Sequence, residues 1–311
     1  MQSHSALARL QQVVTVTLAA LSLGWFAWHW NASPGIAVAG FVLIAFSYAA
    51  FLAVEFVALH FVGGDPQARP GALDLIRAWV GEVISAPRVF CWRQPFRWRA
   101  VPDFLGPVDG GRRGAVFIHG FVCNRGFWNP WLDRLRAAGH PFVAVNLEPV
   151  FGSIDEYVPI IEDAVERVTR ATGMPPVLIC HSMGGLAARA WLRVAKDHRR
   201  VHRVVTIGSP HNGTWLGRFS HLTNGREMRL DGKWVRELAK AANSQSHALF
   251  TCWYSNCDNI VFPVSTATLP GADNRLVRGV AHVDLAFDRL VVEETLAFVL
   301  APSGDVNFSQ E

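Results

Sequence analysis

The chain has 311 residues, of which 50% are apolar and 17% are charged, so a disordered or low-complexity protein is excluded. Its net charge of +4 is too small to indicate a nucleic-acid partner. The five cysteines include no CxxC pair, which leaves a disulfide framework and a zinc ribbon without support.

The first 64 residues are nearly free of charge and contain two long apolar stretches. Val13 to Trp30 is an uncharged run of 18 residues, and a second stretch runs from Gly35 to Val62 with Glu55 as its one charged residue. A helix rises about 1.5 Å per residue, so each stretch is long enough to cross a bilayer core of about 30 Å. We predict a two-helix transmembrane hairpin over residues 1–64, with helices at about 13–30 and 35–62. We assign no role to Glu55.

A cleaved signal peptide is the alternative, and its apolar core has about 7–15 residues after a basic start. Here the basic start is Arg9 alone and a second apolar stretch follows, which favours the hairpin.

Lys and Arg in the short flanks set the orientation of such helices. Arg9 precedes the first stretch, Arg69 and Arg77 follow the second, and the turn between has neither. We therefore expect an inner-membrane protein of bacterial type, with its C-terminal domain facing the cytoplasm.

Residues 65–111 form a linker that has two interpretations. Ala72 to Ser85 has apolar residues at helical spacing, and the arginines between positions 88 and 99 are interleaved with aromatic residues. This pattern is typical of a segment on a membrane surface. It is equally typical of the start of the next domain, and both interpretations stay open.

From residue 112 to residue 301, short apolar runs alternate with amphipathic stretches. The runs that we interpret as strands are 115–118, 142–147, 177–180, 204–207 and 249–254, and we expect a further short strand at 275–278. The helical stretches are 128–138, 155–171 and 185–196. Runs this apolar are typical of parallel strands covered on both faces, so we predict a three-layer α/β sandwich with a mostly parallel sheet. Residues 211–247 interrupt the alternation as an insertion or possible lid, and residues 302–311 form a tail.

The third predicted strand leads directly into Cys180-His181-Ser182-Met183-Gly184 and then into a helix. This is the nucleophile-elbow arrangement G-x-S-x-G, with Cys180 in place of the first glycine. Because the turn is tight, the residues two before and two after the serine must be small. Gly184 meets this condition, and Cys180 is small enough to be tolerated. The turn also places Ser182 at a helix N-terminus, where backbone N–H groups favour a developing oxyanion.

The first predicted strand ends in His119-Gly120-Phe121. Gly120 lets the backbone approach a substrate closely. Since the loop after this strand supplies the second oxyanion donor, we expect the N–H groups of Phe121 and Met183 to form the oxyanion hole. We interpret His119 as a residue that orders the loop.

These two motifs, with Gly208-Ser209-Pro210-His211-Asn212-Gly213-Thr214 after the fourth strand, resemble the bacterial triacylglycerol lipase/esterase branch of the α/β-hydrolase superfamily. The resemblance covers roughly residues 112–301 and omits the hairpin. It implies an eight-stranded type of sheet, a Ser–acid–His triad in that chain order, and ester hydrolysis without a cofactor. Separately, the His and Asp positions show no metal-ligand spacing, so we expect no metal.

The base of such a triad lies late in the chain, after the last strand. His282 fits this place, and Asp258 precedes it in a D-x-x-V-x-P run that resembles the acid loop of the family. Asp258 would hold and orient the imidazole. Asp284 and Asp273 are the competing acids, and we expect Asp284 to cap the last helix instead.

We therefore predict a membrane-anchored serine hydrolase that cleaves carboxylic esters of lipid type through Ser182, His282 and Asp258. An acyltransferase or thioesterase with the same triad is the alternative among enzymes. A non-catalytic membrane interaction module on this fold is the alternative from another class. The expected partners are an ester substrate and the membrane, and we predict no oligomeric state.

Overall fold

The computed structural model describes residues 5–63, 65, 68–106, 111–241 and 247–301, so the predicted tail at 302–311 lies outside the described residues. The helices are α1 Ala6–His29, α2 Pro34–Ala45, α3 Ser47–Val62, α4 Ala72–Pro87, α5 Gln94–Phe96, α6 Asn129–Ala137, α7 Val158–Thr172, α8 Met183–Ala195, α9 Thr223–Glu227, α10 Lys233–Lys240, α11 His282–Leu285 and α12 Arg289–Leu300. A π-helical turn, Arg88–Arg93, joins α4 to α5. The strands are β1 Ala115–Ile118, β2 Phe142–Ala144, β3 Val177–His181, β4 Arg203–Ile207, β5 Phe250–Ser255 and β6 Asp273–Val277.

The strands form one sheet in the order β2-β1-β3-β4-β5-β6, and every pairing is parallel. The predicted parallel sheet is therefore confirmed. The described residues contain six strands rather than the eight-stranded type that the resemblance implies. The described chain before β1 folds mainly as helices and adds one antiparallel bridge, in which Phe104 and Phe142 exchange N–H···O bonds of 3.0 and 2.8 Å.

Side chains along each strand alternate between two apolar cores, because successive residues of a strand point to opposite faces. Val116 belongs to the first core, which also contains side chains of α7 and α8. Phe117 belongs to the second core, which also contains side chains of α6 and α12. The sheet is thus covered on both faces, and the predicted three-layer sandwich is confirmed. We call residues 111–301 of this sandwich the hydrolase body.

The first apolar helix starts earlier than predicted, at Ala6, because the Ser5 hydroxyl accepts the Ala8 N–H at 3.2 Å and caps it. The predicted single helix at 35–62 is wrong, since α2 and α3 are bent by 52° where they meet. Ser47 donates its hydroxyl to the Ile44 carbonyl at 3.0 Å, which competes with helical hydrogen bonding at the bend. By length and composition α1 is able to cross a bilayer, and α2 with α3 is a second candidate span only if the bent pair counts as one.

Helix α3 packs against α4 and the hydrolase body. Phe56 and Leu59 form a third apolar cluster with Cys257, Phe262 and Ala281. This cluster joins the second apolar stretch to the loops that follow β5 and β6.

The segment that precedes β1 contributes to the body as well. Val89, on the π-helical turn, and Val101 are buried in the second core beside Phe117. The Arg125 guanidinium also donates to the Val101 carbonyl at 2.8 Å. Val89 and Val101 therefore pack as part of the second core.

The predicted insertion lies between β4 and β5 and contains a 3-10 turn, Trp215–Phe219, followed by α9 and α10. Val235 and Leu238 of α10 are buried in the first core. Glu227 accepts the Ile154 N–H at 2.7 Å, which holds the insertion on the loop before α7. Residues 242–246 of the predicted insertion lie outside the described residues.

Candidate active site

Ser182 occupies the sharp turn between β3 and α8. Its backbone has φ 52° and ψ −125°, a strained conformation for a residue with a side chain. A Cβ atom at Gly184 would lie 2.4 Å from the Ile118 carbonyl oxygen, which explains the glycine at that position. Cys180 is fully buried as the fourth residue of β3, where its small side chain fits the first core. The predicted strand–elbow–helix context of Ser182 is therefore present.

Asp258 and His282 come together from two loops, after β5 and after β6. The His282 Nδ1–H donates to Asp258 Oδ2 at 2.9 Å. The other carboxylate oxygen, Oδ1, accepts the N–H groups of Ile260 and Val261 at 2.9 and 2.7 Å. These bonds fix the carboxylate and leave Nε2 of His282 as the basic nitrogen.

The elbow lies against the His282 loop. His181 Nε2–H donates to the His282 carbonyl at 3.2 Å, and the two imidazole rings are 4.7 Å apart between centroids. The Ser182 N–H donates to the Ile207 carbonyl at 2.9 Å. Ser182, His282 and Asp258 are 6%, 5% and 1% exposed, so they form a buried group with limited access to solvent.

Opposing effects set the basicity of His282. Burial disfavours the imidazolium, but Asp258, followed by Glu82 and Glu55, outweighs burial and raises the pKa of His282 above that of an ordinary histidine. A raised pKa suits a group that must accept a proton during turnover.

The other histidines near the elbow are held neutral. Burial lowers the pKa of His119 to about 4, and its Nε2 accepts the Leu147 N–H at 3.0 Å while its Nδ1–H donates to the Gly120 carbonyl. Burial, and then the nearby His282, lowers the pKa of His181 well below the usual value. His119 thus links the loop after β1 to Leu147 through its two ring nitrogens, and the His181 ring lies beside that of His282.

The two expected oxyanion donors belong to the loop after β1 and to the first turn of α8. Met183 is the first residue of α8, where N–H groups have no partner inside the helix. The Phe121 N–H has no protein acceptor among the residues that the structure describes. A Cβ atom at Gly120 would lie 2.8 Å from Ser182 Cβ, so only glycine allows this loop to approach the elbow.

The competing acids have other partners. Asp284 accepts the Ser85 hydroxyl at 2.7 Å, and Asp273 pairs with Arg275. The expectation that Asp284 caps the last helix is wrong, because α12 is capped by Asp288, which accepts the N–H groups of Leu290 and Val291. Asp284 lies inside the separate short helix α11, which ends before α12 begins.

Sequence reasoning missed four residues around His282. Gly208 has a positive φ of 58°, and a Cβ atom there would lie 3.0 Å from Asp258 Oδ2 and 3.1 Å from His282 Nδ1. Its place directly after the fourth strand was a usable signal. The other three hold the backbone at His282. Asn259 accepts the His282 N–H and is itself bonded to Glu55, and Glu82 accepts the Val283 N–H.

Comparison with known proteins identifies relatives of the hydrolase body. The model of the alpha/beta hydrolase family matches residues 115–300. The lysosomal thioesterase PPT2 of Rattus norvegicus is 28% identical over 135 residues, which cover 39% of this chain and 41% of that protein. The probable esterase PIR7A of Oryza sativa subsp. indica is 35% identical over 88 residues, which cover 25% of this chain and 32% of that protein. The chain thus spans less than half the length of either relative.

A solved structure shares the fold. The mature lipase BlEst2 of Bacillus licheniformis superposes with a TM-score of 0.51 at 16% identity, over 63% of this chain and 93% of that one. At this identity the likeness concerns the fold alone. Residues 5–63 fall outside the family match.

Proposed function

This chain belongs to the alpha/beta hydrolase family, and we propose that it is a membrane-anchored serine hydrolase that cleaves carboxylic esters of lipid type. The observation that carries the proposal is the buried hydrogen bond between Asp258 and His282 beside the strained elbow of Ser182. The probable esterase among the similar proteins supports the reaction class.

In the proposed reaction, Ser182 Oγ attacks the ester carbonyl while His282 Nε2 takes the hydroxyl proton. The N–H groups of Phe121 and Met183 stabilise the oxyanion of the tetrahedral intermediate. The alcohol leaves with the proton returned by His282, and the acyl group remains on Ser182. Water, activated by the same imidazole, then releases the carboxylic acid. Asp258 holds the ring and stabilises the imidazolium throughout.

Support for a lipid-type substrate comes from the surroundings of the acid and base loops. These loops contact α3 through the third apolar cluster, which contains Cys257 and Phe262. The opposite face of α3 carries exposed Phe51 and Val54. An ester held in or near a bilayer would therefore meet the hydrolase body on the side where α3 docks.

The test uses the full chain in detergent micelles. We expect a fluorophosphonate probe to label the protein, and p-nitrophenyl esters of rising chain length to be hydrolysed with a preference for longer acyl groups. A folded protein that neither labels nor hydrolyses any ester would overturn the enzymatic proposal in favour of the non-catalytic module. Labelling with a preference for the shortest ester would overturn only the lipid-type substrate.

A thioesterase or acyltransferase is the second candidate, favoured by the similarity to a lysosomal thioesterase. Parallel assays with an acyl thioester and an oxyester of equal chain length distinguish the two bonds. Adding a long-chain alcohol then shows whether the acyl group passes to water or to the alcohol. A higher kcat/KM for the thioester would replace the ester hydrolase proposal.

We also propose that α1 and the bent pair α2–α3 form a membrane hairpin with the body on the cytoplasmic side. The support is the apolar, largely exposed length of α1, and Arg69 and Arg77 after α3. The test is cysteine labelling in intact cells on a Cys91→Ser background, because Cys91 is the exposed cysteine of the described residues. We expect an impermeant thiol reagent to reach Ala32→Cys and not Glu166→Cys. The reverse pattern would place the body outside.

A further inference from the structure

Two carboxylates on the helices before the hydrolase body reach the loop that carries His282. We propose that Glu82 on α4 and Glu55 on α3 are positioning residues for His282, so that these helices are a working part of the active site. The inference rests on the proposed serine hydrolase function. It adds that the N-terminal helices do more than attach the body to a membrane.

Glu82 caps the short helix that begins at His282. Both of its carboxylate oxygens lie 3.1 Å from the Val283 nitrogen, and one accepts the Asp284 N–H at the same distance. The residue before the helix, Ala281, makes no side-chain cap of its own. Glu82 is only 2% exposed, and bonds from backbone N–H groups to a buried carboxylate are stronger than those between neutral groups. The carboxylate therefore fixes the backbone directly after His282.

Glu55 acts on the other side of His282, through an amide. Its carboxylate accepts the Asn259 Nδ2–H at 2.6 Å. The Oδ1 of Asn259 accepts the N–H of His282 at 3.2 Å. Since the neighbour of Asn259 is Asp258, one chain of contacts links α3 to both loops. Glu55 and Glu82 thus hold the backbone of His282 from two sides.

The same carboxylates supply charge where the imidazolium forms. Three charged groups face His282: Asp258 from the loop after β5, Glu82 from α4 and Glu55 from α3. His181, which faces the ring from the elbow, is neutral. Burial raises the pKa of Glu82 to about 7, against the opposing effect of His282 and of its backbone donors. Glu82 is therefore charged mainly above about pH 7 and becomes neutral as the pH falls below that value.

The experiment compares Glu82→Gln and Glu82→Leu in the full chain, in detergent micelles. Sites are counted by fluorophosphonate labelling taken to completion, and kcat per labelled site is measured with a short soluble ester. We expect kcat per site to fall by about 10–100-fold in Glu82→Leu, and KM to stay unchanged, because the lost bonds go to backbone away from the substrate. Glu82→Gln keeps an acceptor oxygen but loses the charge, so it should lower the pKa of the base and move the acid limb of kcat/KM to lower pH.

For the second residue, Glu55→Gln keeps an acceptor for Asn259 and should retain more activity than Glu55→Leu. The matched control is Glu162→Leu, which removes a carboxylate bonded to Trp191 and Arg200 in another part of the body. We expect the control to keep its kcat per site and its pH profile. A role in folding alone would lower the number of labelled sites and leave both quantities unchanged, and that result in both Leu variants would overturn the inference.

An NMR titration of His282, assigned with His282→Gln, tests the inference independently of turnover. The imidazole pKa should be lower in Glu82→Gln than in the wild type, and unchanged in Glu162→Leu. If the wild type neither labels nor turns over, the proposed function fails, while this titration still decides whether Glu82 acts on His282. An unchanged imidazole pKa in Glu82→Gln would overturn the electrostatic half of the inference.

Discussion

The hydrolase body and the helices before it contribute to the candidate site in different ways. In the body, each proposed group stands at the end of a strand, and Ser182 is recognised from its immediate neighbours. In the helices, Glu55 and Glu82 contact residues 204 and 201 positions away along the chain. Local motifs thus predict the candidate groups, whereas contacts between distant segments of the chain hold the loops that carry them.

Within the N-terminal region, the apolar helices α1 and α3 also differ in how they contact the rest of the chain. Only 6% of the apolar stretch of α1 is buried. In its first turns, Gln11 donates to Gln94 on α5 at 2.9 Å and to the Val122 carbonyl of the body at 3.4 Å. Helix α3 instead buries Leu52, Phe56 and Leu59. Two apolar helices can therefore pack differently: α3 lies against the loops that follow β5 and β6, whereas most of α1 is exposed.

We expect the largest loss of activity from a substitution in the hydrolase body, at the Ser182 elbow. Ser182→Ala should abolish fluorophosphonate labelling and lower kcat by roughly 10⁴-fold or more, because only the oxyanion hole and binding remain. Ser265→Ala, an exposed serine after β5, is the matched control and should behave as the wild type. Full turnover by a folded Ser182→Ala protein would place the nucleophile elsewhere.

The next effect separates the acids of the body. Asp258→Asn should lower kcat by roughly 10⁴-fold, since an amide no longer holds the proper tautomer of His282. Asp284→Asn should stay within about threefold of the wild type, because its partner is Ser85 and an amide oxygen can still accept that hydroxyl. Steady-state kinetics with one soluble ester measures both, and a reversed order would assign the acid to Asp284.

The pH profile identifies the base among neighbouring histidines. Because Asp258 and the helix carboxylates raise the pKa of His282, kcat/KM should increase with pH through a one-proton step centred above about 6.5. Below that step the imidazole is protonated and unable to accept the serine proton. Burial lowers the pKa of His119 to about 4. An acid limb of kcat/KM near pH 4 would therefore indicate that His119, and not His282, is the base.

The smallest effect sharpens the contrast between the two apolar helices. Leu59→Ala removes a side chain that is 1% exposed and should destabilise the folded protein by about 2–5 kcal/mol. Leu21→Ala, on the exposed face of α1, should change stability by less than about 0.5 kcal/mol in detergent. Denaturant titration of both variants measures the difference. Equal losses would mean that α1 is as firmly packed as α3.

Much of the fold was predictable because its signals are local. The apolar runs identified β1 to β5, since a parallel strand covered on both faces must be apolar throughout, whereas β6 at the edge of the sheet is largely polar. The elbow around Ser182 and the Asp258 run were predictable for the same reason, as each motif occupies a few consecutive residues. The hydrogen bond between Asp258 and His282 agrees with their assignment to neighbouring strand ends.

The remaining features depend on partners that are distant in sequence. The bend between α2 and α3 accompanies a contact from Tyr48 to the Val83 carbonyl, which no apolar pattern reveals. Glu55 looked like an isolated charge because its partner Asn259 lies far along the chain. The cap of α12 was misassigned to Asp284 because the position where α11 ends depends on local packing, and Asp288 is the residue that meets the first free N–H groups.

The long separation between Glu82 and the residues that it caps has a consequence for biosynthesis. A ribosome that adds about 5–20 residues per second needs about 10–40 s to proceed from Glu82 to Val283. During this time α4 has emerged, whereas the backbone donors that satisfy its buried carboxylate do not yet exist. Contacts of such high contact order form late, after the local helices and the inner strands. The surroundings of His282 are therefore completed at the end of synthesis, so a nascent chain cannot assemble this charge arrangement before its C-terminal strands are made.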